Sequence, residues 1–418
     1  MKTLVDIINI GDELLIGQVV NTNASWMGKI LSKNGFTVRE IKAISDDESA
    51  INEALNLSIP NAHIVLLSGG LGPTKDDITK KVLTKYFETE LQFNEEAFEH
   101  IQDLFKSRGF KITGVNKDQA NLPKNATAIL NRNGTASGMW FEKNGVVVVS
   151  MPGVPFEMKT MMEKDIVPRL KEKYKPAQYV QKTIMTTGMG ESFLAQKIEE
   201  QENQLPNHIK LAYLPRPGLV RLRLSGRGND QVKLQKEIDQ HTHAIVEQIE
   251  DWVFGYDDIS LEESTAQILV QQNKTIAAAE SCTGGNIAHL FTSIPGSSQY
   301  FMGGIVSYSN ASKIKVLGVR PESIEEFGAV SENVVRQMAE GARKALKVDY
   351  AIATSGIAGP DGGSDEKPVG TTWIAVSGPQ QTKSQLFQFG EHRGRNITRA
   401  SLAAIQMLRS MVLEDTQE

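Results

Sequence analysis

The sequence predicts an α/β protein with two α/β domains joined by a small α+β domain, and three observations carry that prediction. Short apolar runs alternate with stretches of helical spacing in residues 1–168 and again in residues 259–418. Polar, glycine-rich turns follow those runs in both regions. Between them, residues 169–258 hold a hairpin pattern with one apolar and one charged face. A chain of 418 residues is long enough for two or three separate cores.

Composition narrows the function classes. Charged residues make up 23% and hydrophobic ones 40%, ordinary values for a globular protein. The formal net charge of −5 supplies no global basic field, which argues against a nucleic-acid partner. One cysteine excludes an internal disulfide and suits a reducing compartment. The first residues show no signal-peptide pattern, and no apolar stretch is long enough to span a bilayer. The expectation is a soluble, cytoplasmic protein with no membrane partner.

In the first domain, residues 4–10 read as a buried strand ending at Gly11-Asp12-Glu13. Trp26, Ile30 and Leu31 give a helix, residues 36–44 a second strand, and Ile51 and Leu55 a second helix. Residues 63–67 form a third strand that runs into the loop of residues 68–77. Ligands of such sheets sit beyond the carboxyl ends of the strands, where both polar turns fall. Gly69, Gly70 and Gly72 let backbone approach a phosphate closely, and a following helix N-terminus favours the anion. Asp76 and Asp77 would repel a bare phosphate. They make sense with a hard divalent cation between carboxylate and phosphate, Glu13 adding a second acidic strand end. Equally, the two aspartates can be read as ordinary first-turn acids of a helix.

The runs at residues 11–17, 21–23 (which contains Asn23), 68–77 (which contains Thr74) and 152–158 resemble the amino-terminal domain of the CinA family. That domain is similar in fold to the molybdopterin-binding MoaB and MogA proteins. The resemblance implies metal-dependent hydrolysis of ADP-ribose to AMP and ribose 5-phosphate. It also implies substrate contacts from Asn23, Gly69, Gly70, Gly72 and Thr74, with the metal at Glu13, Asp76 and Asp77. Related domains bind pterins instead.

The middle segment opens with residues 171–176, which are charged, show no apolar face and read as a linker. A strand over residues 178–187 and a short helix around Phe193 and Ile198 follow. Residues 209–224 read as a hairpin turned by Pro217-Gly218, with Val220, Leu222 and Leu224 alternating against Arg221 and Arg223. A helix over residues 231–250 completes a domain in the position where the CinA family carries a KH-like domain. Arg216, Arg221, Arg223 and Arg227 invite a phosphate reading. A solvated strand face accounts for them better, because the interleaved surface aromatics of a single-strand binder are lacking.

The last domain begins with a helix over residues 262–272, then a strand over 275–279. That strand meets Glu280-Ser281-Cys282-Thr283-Gly284-Gly285 before helical spacing resumes at Ile287, Leu290 and Phe291. A hydroxyl and a thiol thus sit on a strand-to-helix turn whose free N–H groups can hold a developing negative charge. A helix cap is the plain alternative. Residues 300–308 form a strand turning into a helix that carries Lys313. After a helix over 331–346, residues 350–355 form a strand that enters Gly356-Ile357-Ala358-Gly359-Pro360. A strand over 371–376 and a helix with Leu402, Ile405 and Leu408 end the chain.

A serine hydroxyl needs a base, and no histidine falls in any of the three strand-end motifs. Lys313 can supply that base if burial keeps its amine neutral, and Tyr308 can relay the proton or orient Lys313. The turns at Gly284-Gly285 and from Gly356 onward offer N–H groups for an oxyanion or phosphate. Residues 279–285, 303–313, 355–363, 367–371 and 395–399 resemble the nicotinamide-nucleotide amidase (PncC) domain of the CinA family. The resemblance implies deamidation of nicotinamide mononucleotide to nicotinate mononucleotide and ammonia, with no cofactor. It makes Ser281 the nucleophile, Lys313 its base and Tyr308 an assistant. Thr283, Gly284, Gly285, Ser355, Gly356 and Gly359 line the substrate, and Arg395 and Arg399 meet its phosphate.

The family's usual Gly-Asp-Arg ahead of the last helix stands here as Arg393-Gly394-Arg395, so the phosphate contact stays open among Arg393, Arg395 and Arg399. Cys282 remains an alternative nucleophile or an inert buried thiol. Lys313 can equally be a solvated helix lysine, and Tyr308 a core aromatic. The resemblance implies a homodimer. The alternative function is a non-catalytic pterin- or nucleotide-binding scaffold linked to competence or DNA damage.

Overall fold

The computed structural model describes residues 2–74, 77–107, 109 and 111–417. The chain gathers into two compact units, Met1–Val180 with Gly226–Gln235, and Gln181–Ser225 with Lys236–Glu418.

In the first unit, β1 (Leu4–Ile10), β2 (Thr37–Ile44) and β3 (Ile64–Ser68) are followed by a small ribbon of β4 (Leu91–Phe93) and β5 (Asn121–Pro123). Strands β6 (Thr127–Ile129), β7 (Gly138–Lys143) and β8 (Val146–Met151) complete a six-stranded sheet of order β2-β1-β3-β8-β7-β6. Its first four strands run parallel, and β7 is antiparallel to both neighbours. Alternate residues feed two apolar layers. Ile8, Leu67 and Val148 belong to one, while Ile7, Leu66 and Val149 belong to the other. That division explains why β1, β3 and β8 read as unbroken apolar runs: both faces are covered. The helix Thr22–Lys33 starts where Asn21 accepts from the Ala24 amide at 3.0 Å.

The expected linker at residues 171–176 is instead the end of a helix, Val167–Tyr174. Its apolar face, Val167, Leu170 and Tyr174, straddles the proposed boundary, so the charged half alone hides the period. Leu170 is buried, and the Tyr174 hydroxyl donates to the His63 carbonyl at 2.8 Å.

The middle segment forms a four-stranded sheet of order β10-β11-β9-β12 from β9 (Gln178–Thr187), β10 (Ile209–Arg216), β11 (Leu219–Gly228) and β12 (Val253–Tyr256). Val220, Leu222 and Leu224 are buried in β11, as its alternation predicts. Arg227 donates to the carbonyls of Gly35 and Phe36 at 2.7 and 2.8 Å, a packing use for one of the four arginines.

The last region carries β13 (Ile276–Glu280), β14 (Phe301–Val306), β15 (Tyr350–Gly356), β16 (Thr371–Ser377) and β17 (Thr382–Gln388), in the order β14-β13-β15-β16-β17. β13 runs parallel to β14 and β15, and the remaining pairs are antiparallel. Ile276, Ile352 and Ile374 pack with Leu402, Ile405 and Leu408 of the helix Arg393–Gln417. On the other face the alanines 277, 279, 351, 353 and 375 meet Val334, Val335 and Met338 of the helix Glu332–Leu346. Side chains that small bring the helix close to the sheet. No helix among the described residues is long and apolar enough to cross a membrane.

Candidate functional site

Because β13 and β14 are parallel neighbours, their carboxyl ends deliver residues 281 and 307 side by side. The Ser307 amide donates to the Glu280 carbonyl at 2.8 Å, and Ser309 caps the helix Asn310–Leu317. Lys313 lies one turn into that helix and is 1% exposed. Its Nζ lies 2.9 Å from Ser281 Oγ, with Ser281 itself buried. The same amine donates to the Ser307 carbonyl at 2.8 Å and lies 3.5 Å from that of Tyr308. Burial holds the Lys313 pKa below the ordinary lysine value, partly opposed by the neighbouring Cys282 sulfur. Burial also pushes the Cys282 thiol up to about 11, which keeps it protonated and a poor nucleophile at neutral pH.

The turn is satisfied differently from the sequence-based expectation. Glu280, 1% exposed, accepts from the amides of Gly285, Ile287 and Ala288 at 3.0, 3.0 and 2.9 Å. Its carboxylate caps the N-terminus of the helix Asn286–Thr292, and the Gly284 amide closes onto the Ser281 carbonyl at 3.1 Å. Gly284 and Gly285 therefore do not hold their N–H groups free for an anion. The amide of Thr283 donates to no protein acceptor among the described residues. Its hydroxyl pairs with that of Thr354 at 2.8 Å.

Other expected residues divide into near and far. Ser355 is buried and donates to the Ala329 carbonyl at 2.7 Å. Gly356 ends β15 where an added Cβ would lie 2.6 Å from Thr372 Oγ1, so the strands there require glycine. The Tyr308 side chain is 62% exposed, and among the described residues its hydroxyl makes no hydrogen bond to Ser281 or Lys313. It accepts instead from Arg393 at 3.4 Å, and Arg393 also donates to the Gly359 carbonyl at 2.9 Å. Orientation of Lys313 falls to main-chain carbonyls rather than to the phenol. Arg395 is exposed in the first turn of its helix. Arg399 lines a cavity of about 820 Å³ with Gly218, Phe387 and Met407, and neither Ser281 nor Lys313 is among the described residues lining that space. Its place is set by the helix, which turns position 399 away from residue 393.

In the first unit the ends of β1, β3 and β8 meet. The Gly69 amide donates to the Met151 carbonyl at 3.0 Å, and an added Cβ at Gly69 (φ 119°) would lie 2.2 Å from the Ile10 carbonyl oxygen. A cavity of about 410 Å³ opens there, lined by Glu13, Gly69, Gly70, Gly72 and Asp77. Asp46, Glu157 and Gln119, none of them singled out from sequence, line it too. Asp77 accepts from the Thr74 amide at 2.9 Å and from the Thr74 hydroxyl, so Thr74 shapes the loop through Asp77. Asn23 donates to the Gly153 carbonyl at 2.7 Å and to Ser68 Oγ at 3.3 Å, tying two strand ends together. Asp76 lies outside the described residues. Among those described, no three His, Cys, Asp or Glu side chains come together to hold a metal.

Three family descriptions match consecutive parts of the chain. Residues 6–172 match "Probable molybdopterin binding domain", 181–255 "Damage-inducible protein CinA KH domain" and 258–412 "CinA C-terminal domain". A CinA-like protein of Cytophaga hutchinsonii is 44% identical, covering 98% of each chain. One of Flavobacterium psychrophilum is 45% identical with the same coverage. Among solved structures, a CinA superfamily protein of Klebsiella pneumoniae is 33% identical over 37% of this chain and 96% of its own, with a TM-score of 0.36. Matched by family along its length and by relatives from end to end, this chain belongs to the CinA family.

Proposed function

We propose that the carboxy-terminal domain is a nicotinamide-nucleotide amidase acting through Ser281, and that the amino-terminal domain hydrolyses ADP-ribose. The amidase reading rests on one observation, the 2.9 Å approach of a buried Lys313 amine to Ser281 Oγ. A neutral amine has two hydrogens and one lone pair. Carbonyls of Ser307 and Tyr308, 2.8 and 3.5 Å away, can accept those hydrogens, which would leave the lone pair for the serine proton.

In the proposed reaction, Ser281 Oγ bonds to the amide carbon of nicotinamide mononucleotide as its proton passes to Lys313 Nζ. The Thr283 amide is the donor assigned to the resulting oxyanion. Collapse breaks the carbon–nitrogen bond, and the departing nitrogen takes the proton from Nζ to leave as ammonia. Water then adds to the ester, gives a proton to Lys313, and that proton returns to Ser281 as nicotinate mononucleotide departs. Arg395, exposed at the head of a long helix, suits the substrate phosphate, with Arg393 beside it.

For the amino-terminal domain, the donor set fits a hard divalent cation held by one or two carboxylates plus substrate phosphates. Glu13 and Asp77 would hold it, since no Lys or Arg is among the described residues lining the cavity and a bare pyrophosphate would be repelled. Such a cation supplies charge neutralisation and polarises the phosphoryl group. A second reading is pterin or nucleotide binding without hydrolysis, since among the described residues no three His, Cys, Asp or Glu side chains gather to hold a metal.

Ammonia release from nicotinamide mononucleotide by wild type and by Lys313→Ala tests the first activity. AMP release from ADP-ribose with magnesium tests the second. Well-folded wild type that releases neither product leaves the scaffold reading.

A further inference from the structure

The cavity of about 820 Å³ beside the last helix falls in the size range of small-molecule sites, and Ser281, Tyr308 and Lys313 are not among the described residues lining it. Its walls are built from close packing. Gly218 (φ 81°) turns the β10–β11 hairpin at a point where an added Cβ would lie 3.1 Å from a Leu402 methyl, so only glycine lets the hairpin come this near the helix. Thr187 Oγ1 donates to the Gly218 carbonyl at 3.0 Å and holds the turn there. Phe387 and Phe389 stack with centroids 5.6 Å apart and planes 8° from parallel. With Ala403 and Met407 they give the cavity an apolar lining. The charged side chains of Glu332, Arg336, Lys383, Arg399 and Glu414 line it as well. Glu414 pairs with Lys383, and Glu332 lies 3.9 Å from Arg336 and accepts from Ser384 at 2.7 Å. Arg399 is left over. It is half-buried, and among the described residues its guanidinium has no hydrogen bond and no ion pair. A guanidinium withdrawn from water beside an apolar wall lacks the acceptor that would offset its desolvation.

We propose that this cavity binds a small aromatic carboxylate, with Arg399 taking the carboxylate and the ring lying against Phe387, Phe389 and Met407. The charge count selects the anion. With Arg336 and Lys383 already matched by acids, a single negative charge completes the site, whereas a phosphate dianion would leave an excess. The planar guanidinium fork meets a carboxylate through two parallel hydrogen bonds. Phenylalanine rings and a methionine sulfur favour a flat π-system over an alkyl chain. The assignment depends on neither proposed hydrolysis, since it uses none of their residues.

Titration calorimetry of the full chain uses 2-naphthoate as the probe and 2-naphthamide, its neutral isostere, as the reference. Wild type binds one 2-naphthoate per chain and holds 2-naphthamide roughly ten- to a hundredfold more weakly, the worth of a charge-assisted hydrogen-bonded contact. Arg399→Gln loses the same factor for 2-naphthoate, while its affinity for 2-naphthamide stays within about twofold of wild type. Phe389→Leu weakens both probes by roughly three- to tenfold. A third probe, 2-naphthyl phosphate, binds wild type no more tightly than 2-naphthoate does. No binding of 2-naphthoate, equal binding of acid and amide, an unchanged affinity in Arg399→Gln, or a preference for the phosphate each overturns the assignment. So does an affinity for 2-naphthoate that weakens as protein concentration rises, which would put a second copy of the chain in the cavity. Should Arg399→Gln not fold, the wild-type ranking of acid, amide and phosphate decides alone.

Discussion

Two strand-end sites in this chain start from the same materials, glycine turns and acidic residues beyond a parallel sheet, and finish them in opposite ways. At the end of β13 every charge is committed inside the protein: Glu280 caps a helix, and Lys313 faces Ser281 and two carbonyls. At the ends of β1 and β3 the cavity is lined by Glu13, Asp46, Asp77 and Glu157, and an unpaired Gln119 stands among them. The first site holds the proposed nucleophile and base in contact. The second would be completed by the proposed cation. Preorganised groups lose little on reaction, whereas a set of like charges waits for a cation.

The largest effects should come from the self-sufficient site. Ser281→Ala is expected to lower amidase kcat by about 10⁴-fold or more, with Cys282→Ala within a few-fold of wild type. Lys313→Ala should cost roughly 10²- to 10⁴-fold, and Lys313→Arg should not recover it, because a guanidinium stays protonated. Kinetics with nicotinamide mononucleotide decide this. Activity of Ser281→Ala that is lost upon Cys282→Ala would transfer the nucleophile to sulfur.

Metal separates the two sites next. Chelation with EDTA should abolish AMP release from ADP-ribose and leave ammonia release unchanged in the same sample. Asp77→Asn should weaken the first activity roughly 10-fold or more and spare the second. A chelator that stops both would mean the sites are not finished differently.

The pH behaviour follows from the depressed Lys313 pKa. Between that value and the unfolded 10.5, the unfolded chain binds more protons than the folded one, so stability rises with pH through this window. Below both values the amine is charged in both states and the full penalty of burying the charge is present. The neutral amine is the proposed base, so amidase kcat/KM should climb along a limb centred below 10.5. Chemical denaturation of Lys313→Met across that window should lack the slope.

Glu280→Ala should destabilise the protein by about 3 kcal/mol, since one buried and two half-buried amides lose a charged acceptor together. Denaturant titration measures it, and a loss under about 0.5 kcal/mol would mean that water replaces the cap.

The Ser281–Lys313 pair was legible because Ser281 follows one strand and Lys313 lies one turn into the helix that follows the next, and neighbouring parallel strands bring such ends together. Glu280 was not, since a carboxylate after an apolar strand looks like a surface residue until its three amides are seen. Gln119 and Asp46 line their cavity from turns, and Glu157 from the first turn of the helix Pro155–Met161, all distant in sequence and with no local period to announce them. β17 escaped because an edge strand with Leu386 half exposed shows no clear alternation. The β7–β8 hairpin was legible at Asn144-Gly145, whose two positive-φ residues make the turn a two-residue hairpin favours.

The smallest expected effect is the most discriminating for the first site. Tyr308 is joined to Lys313 through its main-chain carbonyl, while the ring is 62% exposed and its hydroxyl meets Arg393. Deleting that hydroxyl removes one 3.4 Å contact at the surface, which is worth little. Tyr308→Phe should therefore change amidase kcat by less than about threefold and stability by less than about 0.5 kcal/mol. If the phenol relays the serine proton, the same variant would lose activity on the scale of general acid–base catalysis, about 10²-fold. A loss of that size would require the ring to swing inward when substrate binds, and the site at β13 would then depend on its ligand as the acidic cavity does.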